Sequence, residues 1–482
     1  MERNNNLVLD VEEKPKKFGD WFLFSIQHIL AMLVACITVP LLTGLPIAAT
    51  LISAGIGTAF YIVVTKFKSP VFLSSSFAYL SPMSSALAIG LINKSGTVDG
   101  NMNYLALILG MAFVGLVYSL IALIIKFVGT KWLDKLLPPI IVGPVIMVIG
   151  LSLSTSAVSF ITTTNANSYN WIAIISGLVA LVVTALCSHY GKGTIKLIPF
   201  VMGILSGYVF ALVMTLVGYY WLKNDYFNIV DFTPFINIFS KENISLASFI
   251  NYKIFVPNSS ESFIFLRFDE ISRFDWASIG QVMLLFIPVS LVTVCEHIGD
   301  HKNLGNIINR DLLNGEPGMQ RTLFGDGVAT AISGALCGAA NTTYGENVAV
   351  VGMTKIASTK VVLSAAILTI VIGFITPFSA LLETIPHCVT GGVALVLYGF
   401  IASSGVKMLI SEKIDFNDTK NIFISSVILV SGIGGLIFKF GNPDNPSIQI
   451  TSIAVAMILG IFFNVILKDK KEKEPKEVKD EK

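Results

Sequence analysis

Two carboxylates stand where the chain around them is apolar or small. Glu296 lies near the end of IPVSLVTVCEHIGDH (287–301), and Glu346 lies within NTTYGENVAVVG (341–352). A carboxylate near the centre of a bilayer costs about 2.5–3.5 kcal/mol even on the mildest scale. Such a group faces a wet cavity or a substrate that it hydrogen-bonds; an interhelical polar pair is the plainer alternative. Asp300 follows Glu296 by four residues, hence on the same helix face. His297 and His301 point elsewhere around that helix. Asp326, in FGDGVAT, is expected near a cytoplasmic helix start as a cap, a structural role. His28, beside Gln27 in SIQHILAM, is either a satisfied interhelical donor or a site group. His387, after Pro386, reads as structural. None of these has nucleophile–base or metal spacing, so neither an enzyme nor a metal or cofactor site is expected. Cys36, Cys187, Cys295, Cys337 and Cys388 lie in apolar segments without a CxxC pair and read as small buried hydrophobes.

The elements that position these groups must be membrane helices. Of the 482 residues 54% are hydrophobic and 13% charged, against roughly 25% charged in soluble domains. Apolar stretches of about 20 residues span a bilayer, and the chain offers fourteen. With the N-terminus in the cytoplasm, alternation through fourteen spans puts every basic residue inside except Lys94, Lys223, Lys241, Lys253, Arg267, Arg273 and Lys439. That is the positive-inside bias, and removing one span would invert everything after it. Both termini are therefore expected in the cytoplasm, with 1–17 and 468–482 as solvated tails. No cleavable signal peptide and no nucleic-acid arm is read from them.

Two external connections are long: the polar stretch 159–169 and the aromatic-rich excursion 222–278. The latter divides the chain into seven spans and seven. Because seven is odd, the halves have opposite orientation, as in inverted-repeat transporters. Leu137-Pro138 at the start of the fifth span matches Ile385-Pro386 at the start of the twelfth. Ser75-Ser76-Phe77 matches Thr342-Thr343-Tyr344 in the third spans of the two halves. In those spans, residues from Val71 to Ser76 and from Asn341 to Thr343 disfavour helix, and helix formers follow. A short extended segment leading into a half-helix near mid-membrane is predicted; a Ser/Thr-rich packing helix is the alternative. Irregular backbone survives in lipid only where protein or a cavity satisfies it, and half-helix N-termini favour anionic or carbonyl-oxygen ligands.

At these residues the chain resembles the nucleobase–ascorbate transporter family. NTTYGENVAVVGMTK (341–355), VTVCEHIGDH (292–301), SIQHILAM (25–32) and SSSFAYLSP (74–82) look like its characteristic segments, in the same order. The resemblance spans nearly the whole chain and is strongest to bacterial members that carry uracil. It implies an all-α polytopic fold of fourteen spans in two inverted repeats. Residues 18–136 and 279–383 would form a core domain and 137–221 and 384–467 a gate domain, with short antiparallel strands opening spans three and ten. Carried over by motif, Glu296 and Glu346 would grip the base, Phe77 and Tyr344 would supply aromatic and backbone contacts, and Gly345 and Ala35 close backbone approach. His28, Gln27 and Asn347 would support them. A planar base offers N–H donors to carboxylates and carbonyls to backbone N–H groups, and its face stacks on a ring.

The resemblance implies proton-coupled uptake of uracil by alternating access across the cytoplasmic membrane. Glutamate at 346 favours uracil, since purine-carrying relatives usually have glutamine there. A xanthine- or urate-type purine symporter is the alternative, and an anion exchanger of related fold a more distant one. Two departures stand out: Ala349 replaces a usual glycine, and Asp300 replaces a usual histidine. A histidine relay therefore does not carry over, and the coupled proton is assigned to Glu296 with Asp300 beside it. The expected partners are the base, the proton and membrane lipid; the family often dimerises through its gate domain.

Overall fold

The computed structural model describes residues 6–92, 98–99, 102–164, 168–193, 195, 198–240, 249–250, 267, 270–442 and 445–467. The tail 468–482, Arg3, Lys94, Lys196, Lys241, Lys253 and most of 241–269 lie outside them. In chain order the elements are α1 (Phe18–Thr43), α2 (Ile47–Val64), β1 (Leu73–Ser75), α3 (Leu80–Leu87), β2 (Leu91–Ile92), β3 (Val98–Asp99) and α4 (Tyr104–Val128). Next come α5 (Lys131–Leu136), α6 (Pro139–Ser152), α7 (Ser154–Thr162), α8 (Trp171–Tyr190), α9 (Pro199–Met214) and, after a π-helical turn, α10 (Thr233–Phe239). The second half holds α11 (Ile279–Ile308), α12 (Met319–Ala335), β4 (Asn341–Thr343), α13 (Gly345–Thr354), α14 (Thr359–Phe374) and α15 (Thr376–Glu383). It ends with α16 (His387–Ser411), α17 (Thr419–Ile433), β5 (Phe438–Asn442), β6 (Asn445–Ile450) and α18 (Ser452–Ile466). Helix α7 continues through Thr162, so the polar stretch expected as loop from 159 opens as helix.

Eight helical segments among the described residues are long and apolar enough to cross a membrane. Helices α8 and α9 are apolar on nearly every face and leave Leu178, Val182, Leu186, Leu205, Val209 and Val213 exposed. A helix apolar on every face belongs in a core or in lipid, and a contiguous apolar exterior of this kind suits the latter.

The helices pack in two groups. One joins α1, α2, α4, α11, α12 and α14 with the short α3 and α13; the other joins α6, α7, α8, α9, α16, α17 and α18. Contacts exchange between the halves of the chain. Helix α2 packs on α14 as α12 packs on α4; α1 touches α13 as α11 touches α3; α6 packs on α17 as α16 packs on α8. The groups meet mainly through α1, which touches α9 and α16, and α11, which touches α18 and α6. Pro138 and Pro386, matched in the sequence, are both extended N-cap residues, of α6 and α16 respectively. Proline there fixes the turn into the helix without forfeiting a bonded N–H.

The N-terminal segment is strapped to the first group. Val8 N–H donates to the Lys355 carbonyl, Ala357 N–H to Leu9 and Thr359 N–H to Val11. Arg310 Nη2 reaches both Asp10 carboxylate oxygens at 2.9 Å. Residues 8–13, 310 and 355–359 therefore share one face of the molecule.

Candidate functional site

Strands β1 and β4 pair antiparallel in the register Leu73↔Thr343, Ser74↔Thr342, Ser75↔Asn341. Ser76 N–H extends the ladder to the Ala340 carbonyl at 2.8 Å. So short a sheet buried in a helical protein needs its free edges satisfied, and neighbouring hydroxyls and an amide supply this. Thr58 Oγ1 accepts from Leu73 N–H at 3.0 Å, Thr330 Oγ1 donates to the Asn341 carbonyl at 2.7 Å, and Ser74 Oγ donates to the Met32 carbonyl at 3.3 Å. Asn341 Nδ2 donates to the carbonyls of Ser53 and Ala329. The chain leaves each strand into a half-helix, α3 and α13. Because the strands are antiparallel, those helices run away from the crossing in opposite directions.

Glu346 occupies the first turn of α13, where N–H groups lack intrahelical partners and the helix dipole favours negative charge. Glu296 and Asp300 lie one turn apart on α11. These three carboxylates, with Gly345 and Ala349, border a cavity of about 1090 Å³. Its mouth is lined by Lys302, Asn306, Arg310, Lys407 and Glu412, so it opens on the face that carries the N-terminal strap. The walls come from both helix groups: Glu296, Asp300 and Glu346 from one, Ile146, Phe400 and Met408 from the other. Lys302 Nζ lies 3.3 Å from Glu412 Oε1 across the mouth.

Other expected residues surround the crossing without lining the cavity. Phe77 and Tyr344 are buried beside the strands, and Phe77 meets the ring of Tyr398 on α16 edge-on at 5.5 Å. Ala35 and Gln27 are buried on α1. His28 Nδ1 lies 2.9 Å from Asn347 Oδ1, joining α1 to α13. Ser76 Oγ, Thr342 Oγ1, Tyr344 OH and Asn347 Nδ2 are buried with no hydrogen-bond partner among the described residues. Four such atoms at one crossing mark a place built for polar contact.

Asp326 is not a helix cap. It is the eighth residue of α12, fully buried, and its Oδ2 lies 2.8 Å from His297 Nδ1. Gly325 and Gly327 on either side give the local sequence the look of a helix start. His301 Nδ1 donates to the His297 carbonyl, which leaves Nε2 to accept from Tyr61 OH at 2.7 Å. His297 thus turns into the packing against α12, while His301 reaches Tyr61 on α2 and also borders the cavity. His387 stacks on Phe160, with ring centroids 5.3 Å apart.

The family model described as "Permease family" matches residues 19–441. The chain belongs to this permease family. It is 38% identical to the uracil permease of Bacillus caldolyticus, over 96% of this chain and 95% of that protein. It is 36% identical to the uracil permease of Bacillus subtilis (strain 168), with 97% and 96% covered. The uracil permease of Escherichia coli (strain K12) is 33% identical, with 92% and 90% covered. Among solved structures, the transmembrane domain of the cyanobacterial bicarbonate transporter BicA aligns with a TM-score of 0.56 at 12% identity, covering 93% of this chain and 97% of that one. Murine Slc26a9, an anion transporter in its inward-facing state, aligns at 0.59 and 9% identity, covering 94% and 69%. Both show a shared membrane-transporter fold and nothing of the cargo. This permease is thus a multi-pass membrane protein and not an enzyme.

Gly345 in the permease offers a sharp test. A Cβ built on it meets only Asp300 Oδ1, at 3.4 Å, an ordinary contact. Gly345→Ala should fold and melt as the parent does. Its methyl group would occupy the space between the α13 start and Asp300, and the affinity of any ligand seated there should fall roughly five- to hundredfold, since one methyl-sized clash costs about 1–3 kcal/mol. Equilibrium binding to purified protein measures it.

Proposed function

We propose that the chain takes up uracil by proton-coupled symport through alternating access. The carrying observation is that Glu296, Asp300 and Glu346 converge on one cavity at a half-helix start, in a chain alike over nearly its full length to proteins named uracil permeases. Carboxylates accept the N–H groups of the base, and N–H groups opening α13 donate to its carbonyls. Phe77 and Tyr344, buried at the crossing behind the cavity, would reach the face of the base as the two helix groups move relative to each other. Glu296 carries the coupled proton, with Asp300 as its electrostatic neighbour. One proton falling through about 100 mV yields roughly 2.3 kcal/mol, enough for a gradient of about fifty-fold.

Fourteen crossings account for the helices. The eight long apolar segments, the shorter apolar α14, α17 and α18, helix α12 and the two strand–half-helix units make up that number. The exchanged contacts support an inverted repeat, with the group holding the carboxylates as core and the other as gate. On this reading the cavity faces the cytoplasm, both termini are cytoplasmic, and the protein resides in the cell membrane. Radiolabelled uracil uptake in cells lacking their own carrier tests the proposal. Uptake should collapse with an uncoupler and resist excess xanthine; uncoupler-insensitive uptake, or competition by xanthine as strong as by uracil, overturns it.

A further inference from the structure

Asp300 is held by a residue from another element. The Thr343 hydroxyl donates to Asp300 Oδ2 at 2.7 Å. Thr343 is fully buried and ends β4, where it pairs with Leu73. A β-branched side chain on a strand has few rotamers, so the strand sets the direction of the hydroxyl. Three residues later Glu346 enters the first turn of α13. One strand end therefore grips the first carboxylate and leads into the second.

The hydroxyl has one proton, and it is given to Asp300. An ionised carboxylate only accepts, whereas a protonated one carries its own O–H. The bond thus favours ionised Asp300. Three titratable groups act on Asp300 through their charge: Glu296 one turn earlier on α11, Glu346 on α13 and, beyond His297, Asp326 on α12, while Lys302 and Lys407 line the same cavity further out. All three are acidic, so the Thr343 donor opposes their repulsion.

We propose that Thr343 is a positioning residue for proton coupling: its hydroxyl holds Asp300 ionised at the cavity and ties that carboxylate's protonation to the start of the half-helix bearing Glu346. The proposal rests on the reading that the chain binds uracil together with a proton at the Glu296–Asp300 pair. The proton comes from water in the cavity, forms an O–H bond at the pair, and returns to water on the other side. When Asp300 shares that proton the bond to the hydroxyl loses its charge assistance, and the tie between the end of β4 and α11 weakens at this point.

The test is uracil binding to the purified full-length protein from acid to alkaline pH, for the parent and for Thr343→Ser, Thr343→Val and Thr343→Ala. The valine and alanine variants remove the donor with and without the branched shape, so loss of fold in one leaves the other. In either, the alkaline limb of binding should move by about one to two pH units to higher pH, the size set by one charge-assisted hydrogen bond. Thr343→Ser should restore the parent profile. In an Asp300→Asn background the valine substitution should move the limb no further. A limb in Thr343→Val and Thr343→Ala that coincides with the parent's, or one that still moves in Asp300→Asn, overturns the proposal alone. Failure of the parent to bind uracil at any pH overturns the underlying reading and the proposal with it.

Discussion

Glu296→Gln should abolish accumulation of uracil against its gradient. Glutamine keeps the shape of the side chain at the cavity wall but can neither take up nor release a proton. It also exchanges a charged acceptor for a neutral one. Hydrogen bonds to charged groups contribute about 1.5–3 kcal/mol, so affinity should fall roughly ten- to hundredfold. Residual binding should survive, because Glu346 and the α13 start remain. Steady-state internal and external uracil, measured in cells of known volume, decide the matter. A variant that still concentrates uracil inside would show that Glu296 is not the proton carrier.

Gly392→Ala should damage the fold far from the carboxylates. In α16, a Cβ at this position would lie 2.0 Å from the Gly177 carbonyl oxygen and 2.8 Å from its carbon. The obstacle is backbone of α8, which cannot rotate aside as a side chain can. Gly177 is in turn pressed on the Cys388 carbonyl, at 2.6 Å from its own built Cβ. The two helices touch main chain to main chain, the geometry small residues permit in membrane proteins. Separating them should cost about 3 kcal/mol, the upper end of overpacking penalties. Melting of the detergent-solubilised protein should drop clearly, with expression reduced. An unchanged melting temperature would mean that α8 and α16 part more easily than their packing suggests.

The site was legible where chemistry and local conformation coincide in a few residues. An acid in apolar sequence declares itself by its cost, which is why Glu296 and Glu346 stood out. The runs before α3 and α13 declared themselves by hydroxyl and β-branched residues where helix formers were due. What escaped depends on residues distant in sequence. Nothing local to Thr343 says that its hydroxyl reaches α11, and nothing local to Phe77 says that Tyr398 closes on it. Asp326 escapes because GDG reads as a helix start. Only the packing of α12 between α2 and α4 shows it to be mid-helix, with His297 as its partner.

The register of the central strands also bears on how the protein is made. Leu73 finds its partner only when Thr343 has been synthesised. At about 5–20 residues per second that interval lasts roughly 15–50 s. Through it, the main-chain polar groups of residues 73–75 sit in a nascent chain with no second strand to complete them, in surroundings where orphaned groups are costly. The first half therefore leaves the ribosome unfinished at its centre, and that ladder cannot close before β4 has followed it.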